Sequence, residues 1–287
     1  MGRPRVRILG LPGYATSAQQ LRGRLAKHLE LWGDDFELIA LDPVEPLFPS
    51  TISTHHLRAD ETDSTSRAVS AYRWWEWDSQ YKFKPGELER ALAYLRRFLE
   101  TQEPFDVICG FSQGSAMAVL LLALLERPNL HPIWSRPSSI PNIVWPPQPV
   151  RCAVLCSGFG PGDSACVRWF EEARPTVPTL HIIGRNDPVV DFKHSLSTAA
   201  RFENAEIRWH DGGHHIPRKP YWGALMREFM LRRCDINGPP LHLSFAELSS
   251  PTESAASSAG EVGGFFPLTK LPTTPSIIDE DAWAEEQ

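Results

Sequence analysis

The sequence predicts an α/β fold: a mostly parallel sheet of about six strands with helices on both faces. Three observations lead there. Strand-like apolar runs and helical patterns alternate about six times along residues 1–234. The strand-like runs are short and continuously apolar rather than alternating, as strands buried on both faces are. One of them runs through a glycine-flanked serine straight into a strongly apolar helical stretch, 106–126 (DVICGFSQGSAMAVLLLALLE).

Residues 6–11 (VRILGL) read as the first buried strand, followed by the turn Pro12-Gly13-Tyr14-Ala15. Ser17 opens a helix, because Gln20 three residues later completes a capping box. Leu21, Leu25, Leu29 and Trp32 give that helix its apolar stripe. A second strand, 36–41 (FELIAL), stops at Asp42-Pro43. From 43 to about 85 regular periodicity fails, and the stretch contains the aromatic cluster 72–77 (YRWWEW). Residues 86–102 are amphipathic, with Leu88, Leu92, Leu95 and Leu99 on one face. The segment 128–149 is too rich in proline to hold a regular element for long. Strands follow at 151–156, 179–184 and 206–210, with helical stretches at 167–173 and from Asp191. A last helix, 220–233, turns Trp222, Leu225, Phe229 and Met230 inward.

The expected organisation is one folded domain over 1–234, with 43–85 as a cap or substrate segment and 128–149 as an insert. Beyond about 235 the chain is rich in Pro, Ser, Thr and Gly and closes on DEDAWAEEQ. That composition cannot bury enough apolar surface to offset its ordering entropy, so 235–287 reads as a disordered tail with Phe265-Phe266 as a docking candidate.

The bulk properties exclude several classes. The net charge of −6 over 287 residues and the scattered Lys and Arg argue against nucleic acid as a partner. The five cysteines, Cys109, Cys152, Cys156, Cys166 and Cys234, follow neither a disulfide framework nor a zinc spacing. A reducing compartment follows. The N-terminus lacks an apolar signal region and the longest apolar run, 116–125, is too short to span a bilayer, so the expected location is the cytoplasm. The glycines around Ser112 lack the Lys and Ser/Thr of a phosphate loop, and no cofactor or metal is expected.

The chemistry lies in the loops that follow strands, where ligands bind in such sheets. Gly110-Phe111-Ser112-Gln113-Gly114 is G-x-S-x-G between strand and helix, the setting in which a sharp turn presents a nucleophilic serine. The glycines give room for flanking backbone, and the first helical N–H, that of Gln113, is free for an oxyanion. After strand 179–184 comes RNDPVV, and after 206–210 comes DGGHH. The order Ser, Asp, His is that of α/β-hydrolase triads. Asp187 is preferred to Asp191, because Asp191 stands where an N-cap belongs. His214 is preferred to His215, because the Gly212-Gly213 turn immediately precedes it. His181 lies within a strand and reads as core. The second oxyanion donor is expected from the turn after the first strand, with the N–H of Tyr14 before that of Ala15. Trp74, Trp75 and Trp77 fit ordinary core or the wall of a cap or acyl channel. The second is preferred, which makes Trp74, Trp75 and Phe159 the expected substrate pocket.

With these residues assembled, the chain resembles the FSH family of serine hydrolases, a branch of the α/β-hydrolase superfamily. The likeness spans about residues 5–232 and rests on 11–21 (LPGYATSAQQL), 41–44 (LDPV), YRWWEW, 109–115 (CGFSQGS), 157–161 (SGFGP), 184–190 (GRNDPVV) and 211–217 (DGGHHIP). The family commonly has His-Gly where this chain has Pro12-Gly13. The resemblance implies an α/β-hydrolase with acid Asp187 and base His214, acting on acyl esters or thioesters. The aromatic, extended segment 43–85 and residues 12–29 (PGYATSAQQLRGRLAKHL) look closest to a fungal subset of stand-alone thioesterases that release polyketides, which implies an acyl carrier protein domain of a polyketide synthase as partner. A general short- to medium-chain carboxylesterase is the alternative reading. A non-catalytic small-molecule receptor on the same fold is another, although such receptors usually lose a triad member and none is missing here.

Overall fold

The computed structural model describes residues 6–47, 71–77, 82–147 and 150–235. In chain order its strands are β1 (Val6–Leu11), β2 (Phe36–Ala40), β3 (Glu45–Leu47), β4 (Ala71–Arg73), β5 (Val107–Phe111), β6 (Cys152–Cys156), β7 (Thr179–Gly184) and β8 (Ala205–His210). The helices are α1 (Ala18–Trp32), α2 (Glu87–Glu100), α3 (Gln113–Glu126), α4 (Pro132–Ser135), α5 (Ser164–Glu172), α6 (Phe192–Ala199) and α7 (Pro220–Arg233). Six strands form one sheet in the order β2-β1-β5-β6-β7-β8, with every pairing parallel. From β1 the chain steps outward to β2 and then returns to the other side of β1 as β5. The order therefore reverses between β1 and β5, and the loops leaving those two strands part there to open a crevice.

Two apolar layers cover the sheet. On one face Leu9, Ile108, Ala153 and Leu155 pack with side chains of α2, α3 and α5. On the other, Ile8, Val107, Val154 and Ile182 pack with α1 and α7. Helix α3 is apolar on all sides and buried from Gln113 to Leu125, so it is a core element rather than a surface helix. Helix α1 is capped as its sequence requires: the Ser17 side chain accepts from the Gln20 N–H, and the Gln20 side chain accepts from the Ser17 N–H. It packs closely on α7 because Gly223 has no side chain; a Cβ there would lie 2.8 Å from both His28 and Leu31. Trp32 Nε1 donates to the Gly223 carbonyl across the same contact at 2.8 Å.

Two expectations need amendment. The 43–85 stretch is not devoid of regular structure, since β3 and β4 pair as a short antiparallel ribbon. Three residues each are too few to register as periodicity. The proline-rich segment forms a short 3-10 turn and α4, held by Trp134 in the core and by the Arg96 guanidinium, which donates to the carbonyls of Ile133, Arg136 and Pro137. Residues 48–70 and 78–81 of the aromatic segment, and the 236–287 part of the tail with Phe265-Phe266, lie outside the described residues. Among the described residues, no helix is long and apolar enough to cross a membrane.

His181 is buried in β7, with its Nε2 3.0 Å from the Thr179 hydroxyl. Burial pushes its pKa from 6.5 down to about 3. The unfolded chain thus takes up a proton that the folded protein refuses. The residue's stabilising contribution is complete above pH 6.5 and is lost as the pH falls toward about 3. Urea unfolding across that window is expected to show stability falling by up to ~1.4 kcal/mol per pH unit for such a group. A His181→Gln variant should show a shallower slope.

Candidate active site

Ser112 is the residue between β5 and α3, and its backbone is strained, with φ 53° and ψ −122°. A β-carbon in this region costs ~1–3 kcal/mol, which the surroundings must impose. They do so through the glycines. A Cβ on Gly110 would lie 2.6 Å from the Ser115 Cα, and one on Gly114 only 2.0 Å from the Leu11 carbonyl oxygen. The end of β1 therefore lies directly on the first turn of α3. Gly13 completes the fit, its hypothetical Cβ 3.1 Å from that of Ser112. The Ser112 N–H donates to Cys156 O at 3.0 Å, so the elbow stays tied to β6.

The loop after β8 brings His214 over the serine. His214 Nε2 lies 2.9 Å from Ser112 Oγ, and its Nδ1 lies 2.8 Å from Asp187 Oδ2. The imidazole also rests against the Phe111 ring, 5.0 Å between centroids. Asp187 comes from the loop after β7, and its carboxylate side chain is only 2 % exposed. Its Oδ1 accepts from the N–H groups of Val189 and Val190, both at 2.9 Å. Burial opposes ionisation of Asp187. The hydrogen bond and charge of His214, together with the two N–H donors, outweigh it and hold the carboxyl below its ordinary value. Serine, imidazole and a buried carboxylate thus form one continuous hydrogen-bonded chain. Asp191 instead caps α6, accepting from the Lys193 N–H at 2.8 Å.

Gln113 and Tyr14 lie on the two sides of the crevice between β5 and β1. Among the described residues, neither of their N–H groups donates a hydrogen bond. Helix α3 begins there, so its dipole adds positive potential at the same point.

The family with the description Serine hydrolase (FSH1) matches residues 1–224. The protein belongs to it. FSH1-family membership makes this chain an enzyme, a serine hydrolase. It is similar to esterase CG5412 of Drosophila melanogaster, with 31% identity over 74% of this chain and 69% of that protein. It is also similar to esterase OVCA2 of Danio rerio, with 26% identity over 79% of this chain and 97% of the relative. Among solved structures, acyl-protein thioesterase 2 of Zea mays shares the fold, with a TM-score of 0.52, 18% identity, and coverage of 81% of this chain and 95% of that one. SOBER1 of Arabidopsis thaliana does so too, with a TM-score of 0.52, 17% identity, and coverage of 80% of this chain and 99% of that one.

In this FSH1 hydrolase the tryptophans sit differently from the expected pocket wall. Trp74 and Trp75 are 0 % and 1 % exposed. They are core residues that brace the turn below the serine. Trp74 Nε1 donates to Pro12 O at 2.8 Å, where the carbonyl preceding Gly13 would otherwise be left without a donor. Trp77 and Phe159 are half-buried instead, with rings 5.8 Å apart. The link that sequence reasoning missed is the Gln113 side chain. Its Oε1 accepts from the Trp74 N–H at 3.0 Å and its Nε2 donates to the Trp75 carbonyl at 2.9 Å. A glutamine after the nucleophile gives no periodic signal, so only its position beside the serine pointed to it.

A cleft of about 330 Å³ has none of Ser112, Asp187 and His214 in its lining. It lies between β8 and α7, with Glu206, Arg208, Tyr221 and Arg232 among its lining residues, and Glu206 is already paired to Arg208, Arg232 and Arg233.

Gln113→Ala would leave the Trp74 N–H and Trp75 carbonyl unpaired in the core. Denaturant unfolding is expected to show a loss of ~1–3 kcal/mol for each group stranded. Gln113→Glu sets a buried carboxylate against the Trp75 carbonyl, so at neutral pH it should be at least as destabilised as Gln113→Ala.

Proposed function

We propose that Ser112, His214 and Asp187 are nucleophile, general base and orienting carboxylate in the hydrolysis of an acyl ester or thioester. The observation that carries this reading is the unbroken chain Ser112 Oγ to His214 Nε2 (2.9 Å) and His214 Nδ1 to Asp187 Oδ2 (2.8 Å). With Nδ1–H held by the carboxylate, Nε2 is the basic nitrogen and faces the serine hydroxyl. Ser112 attacks the acyl carbonyl as its proton passes to His214. The imidazolium so formed is stabilised by Asp187, which remains ionised. The N–H groups of Gln113 and Tyr14 receive the tetrahedral oxyanion, each worth ~3 kcal/mol in the transition state. His214 then protonates the departing alcohol or thiol, leaving an acyl-Ser112 ester. Water, deprotonated by the same imidazole, returns the serine and frees the acid.

The finer reading is a thioesterase that releases a polyketide or similar acyl chain from an acyl carrier protein domain, in secondary metabolism. Its supports are the resemblance of 12–29 and of the aromatic, extended segment 43–85 to that subset, and apolar side chains on the loops that carry the site. Tyr14 and Val189, on the loops after β1 and β7, and Phe192, at the start of α6, are large apolar side chains left exposed, and Trp77 with Phe159 adds a half-buried aromatic edge. A cytoplasmic setting agrees with the five cysteines, all free and buried.

A fluorophosphonate probe is expected to label the wild type and not Ser112→Ala; labelling of both would remove Ser112 as nucleophile. Asp187→Asn should keep the fold and lower kcat by ~10³–10⁴ through the wrong imidazole tautomer. A panel of matched oxygen esters, small thioesters and carrier-bound thioesters separates the substrate classes. Faster acyl-enzyme formation from the carrier-bound chain supports the thioesterase, and turnover confined to small esters supports a general carboxylesterase.

A further inference from the structure

We propose that His210 is a positioning residue: a neutral imidazole with its proton on Nε2, whose Nδ1 holds the turn that carries His214 over Ser112. The inference rests on the reading of His214 as general base. His210 is the last residue of β8 and is 5 % exposed. Its Nδ1 lies 3.2 Å from the backbone N of Gly212, which donates to it. A nitrogen that accepts an N–H bears no proton, so the proton of the neutral ring must be on Nε2. That Nε2 is buried, with no hydrogen-bond partner among the described residues. The ring therefore gives up any bond at one nitrogen while supplying an acceptor to the turn at the other.

The turn held in this way joins the two loops of the triad. The Gly212 carbonyl accepts from the N–H of Asn186, next to Asp187, at 3.3 Å. Asn186 Nδ2 donates to the Asp211 carbonyl at 2.8 Å, and the Arg185 N–H donates to the His210 carbonyl at 2.8 Å. The space is close-fitted: a Cβ on Gly184 would lie 2.7 Å from the carbonyl oxygens of both Gly212 and Gly213, and 3.1 Å from His210 Cε1. The His215 ring at 4.8 Å and the Trp222 ring of α7 at 5.8 Å, both steeply inclined, fix the plane of the imidazole. With the ring fixed, Nδ1 sets where Gly212 sits, and His214 lies two residues beyond.

The electrostatics keep the ring in the required state. Burial pushes the His210 pKa down to about 4, with His215 acting in the same direction and Asp187 and Asp211 opposing it. The remaining charged neighbour, Arg185, is paired with Asp211. Protonation of Nδ1 would set one N–H against another and release Gly212. The arrangement is complete above pH 6.5 and is lost as the pH falls through about 4.

The test combines His210→Phe, which fills the space without an acceptor, and His210→Asn, whose Oδ1 stands at the same distance along the side chain as Nδ1. In folded protein, His210→Phe is expected to lower kcat on p-nitrophenyl butyrate by roughly 10- to 100-fold with KM nearly unchanged, the signature of a misplaced base. His210→Asn should recover most of that loss. Nitrogen-15 histidine spectra of the wild type near pH 7 should show His210 neutral with the proton on Nε2. The proposal is overturned if His210→Phe keeps wild-type kcat, if His210→Asn is as impaired as His210→Phe, or if the ring is cationic or protonated on Nδ1. Should His210→Phe not fold, the tautomer decides. If the wild type neither turns over ester nor reacts with fluorophosphonate, the hydrolase reading fails by itself, and the His210 tautomer with the exchange rate of the Gly212 amide still decides whether His210 holds the turn.

Discussion

The contact on which the site depends is the approach of the β1 end to the first turn of α3, and it exists because residue 114 has no side chain. Even an alanine Cβ at that point would sit 2.0 Å from the Leu11 carbonyl oxygen and 2.4 Å from that of Pro12. Two elements about a hundred residues apart in sequence could not then touch, and the crevice at the strand-order reversal would open. With glycine there, the positions of the Gln113 and Tyr14 N–H groups are set by backbone packing. Such groups need no reorganisation when charge develops beside them.

Polar satisfaction stabilises what this close packing brings together. The strained Ser112 backbone is held by a hydrogen bond to β6 on one side and by the helix that follows it on the other. Pro12 has no N–H to offer, yet its carbonyl takes the Trp74 indole, while the Gln113 amide ties the same segment to the helix start. The aromatic cluster thus acts on the chemistry from behind. It fixes the floor of the Pro12-Gly13-Tyr14 turn, while Trp77 and Phe159 stay half-buried.

Much of the fold was legible because its signals are local. Short apolar runs marked the six strands, the Ser17 and Gln20 pair marked the start of α1, and the residues singled out after β5, β7 and β8 are ones that the fold brings into hydrogen-bond contact. The preference for Asp187 over Asp191 followed from capping, and the structure puts Asp191 at the N-cap of α6. What was not legible depends on long-range contact. The backbone N–H of Trp74 and the side-chain amide of Gln113 meet across 39 residues, and no pattern in either stretch announces it. The ribbon of β3 and β4 was hidden because three-residue strands with residues 48–70 between them in sequence leave no period to detect. His210 looked like the end of a strand and nothing more, since a tautomer is fixed by a neighbouring N–H and not by spacing.

The all-parallel sheet has a bearing on how the enzyme comes into being. Neighbouring strands that run the same way cannot be joined by a tight turn, so each pairing must close a long loop before it gains any contact energy. The serine and its imidazole are 102 positions apart, and the elements between them contribute β6, β7 and β8. The reactive geometry is therefore among the last things the folding chain can acquire. A nascent chain thus holds the serine before the contacts that strain its backbone and engage its hydroxyl can form.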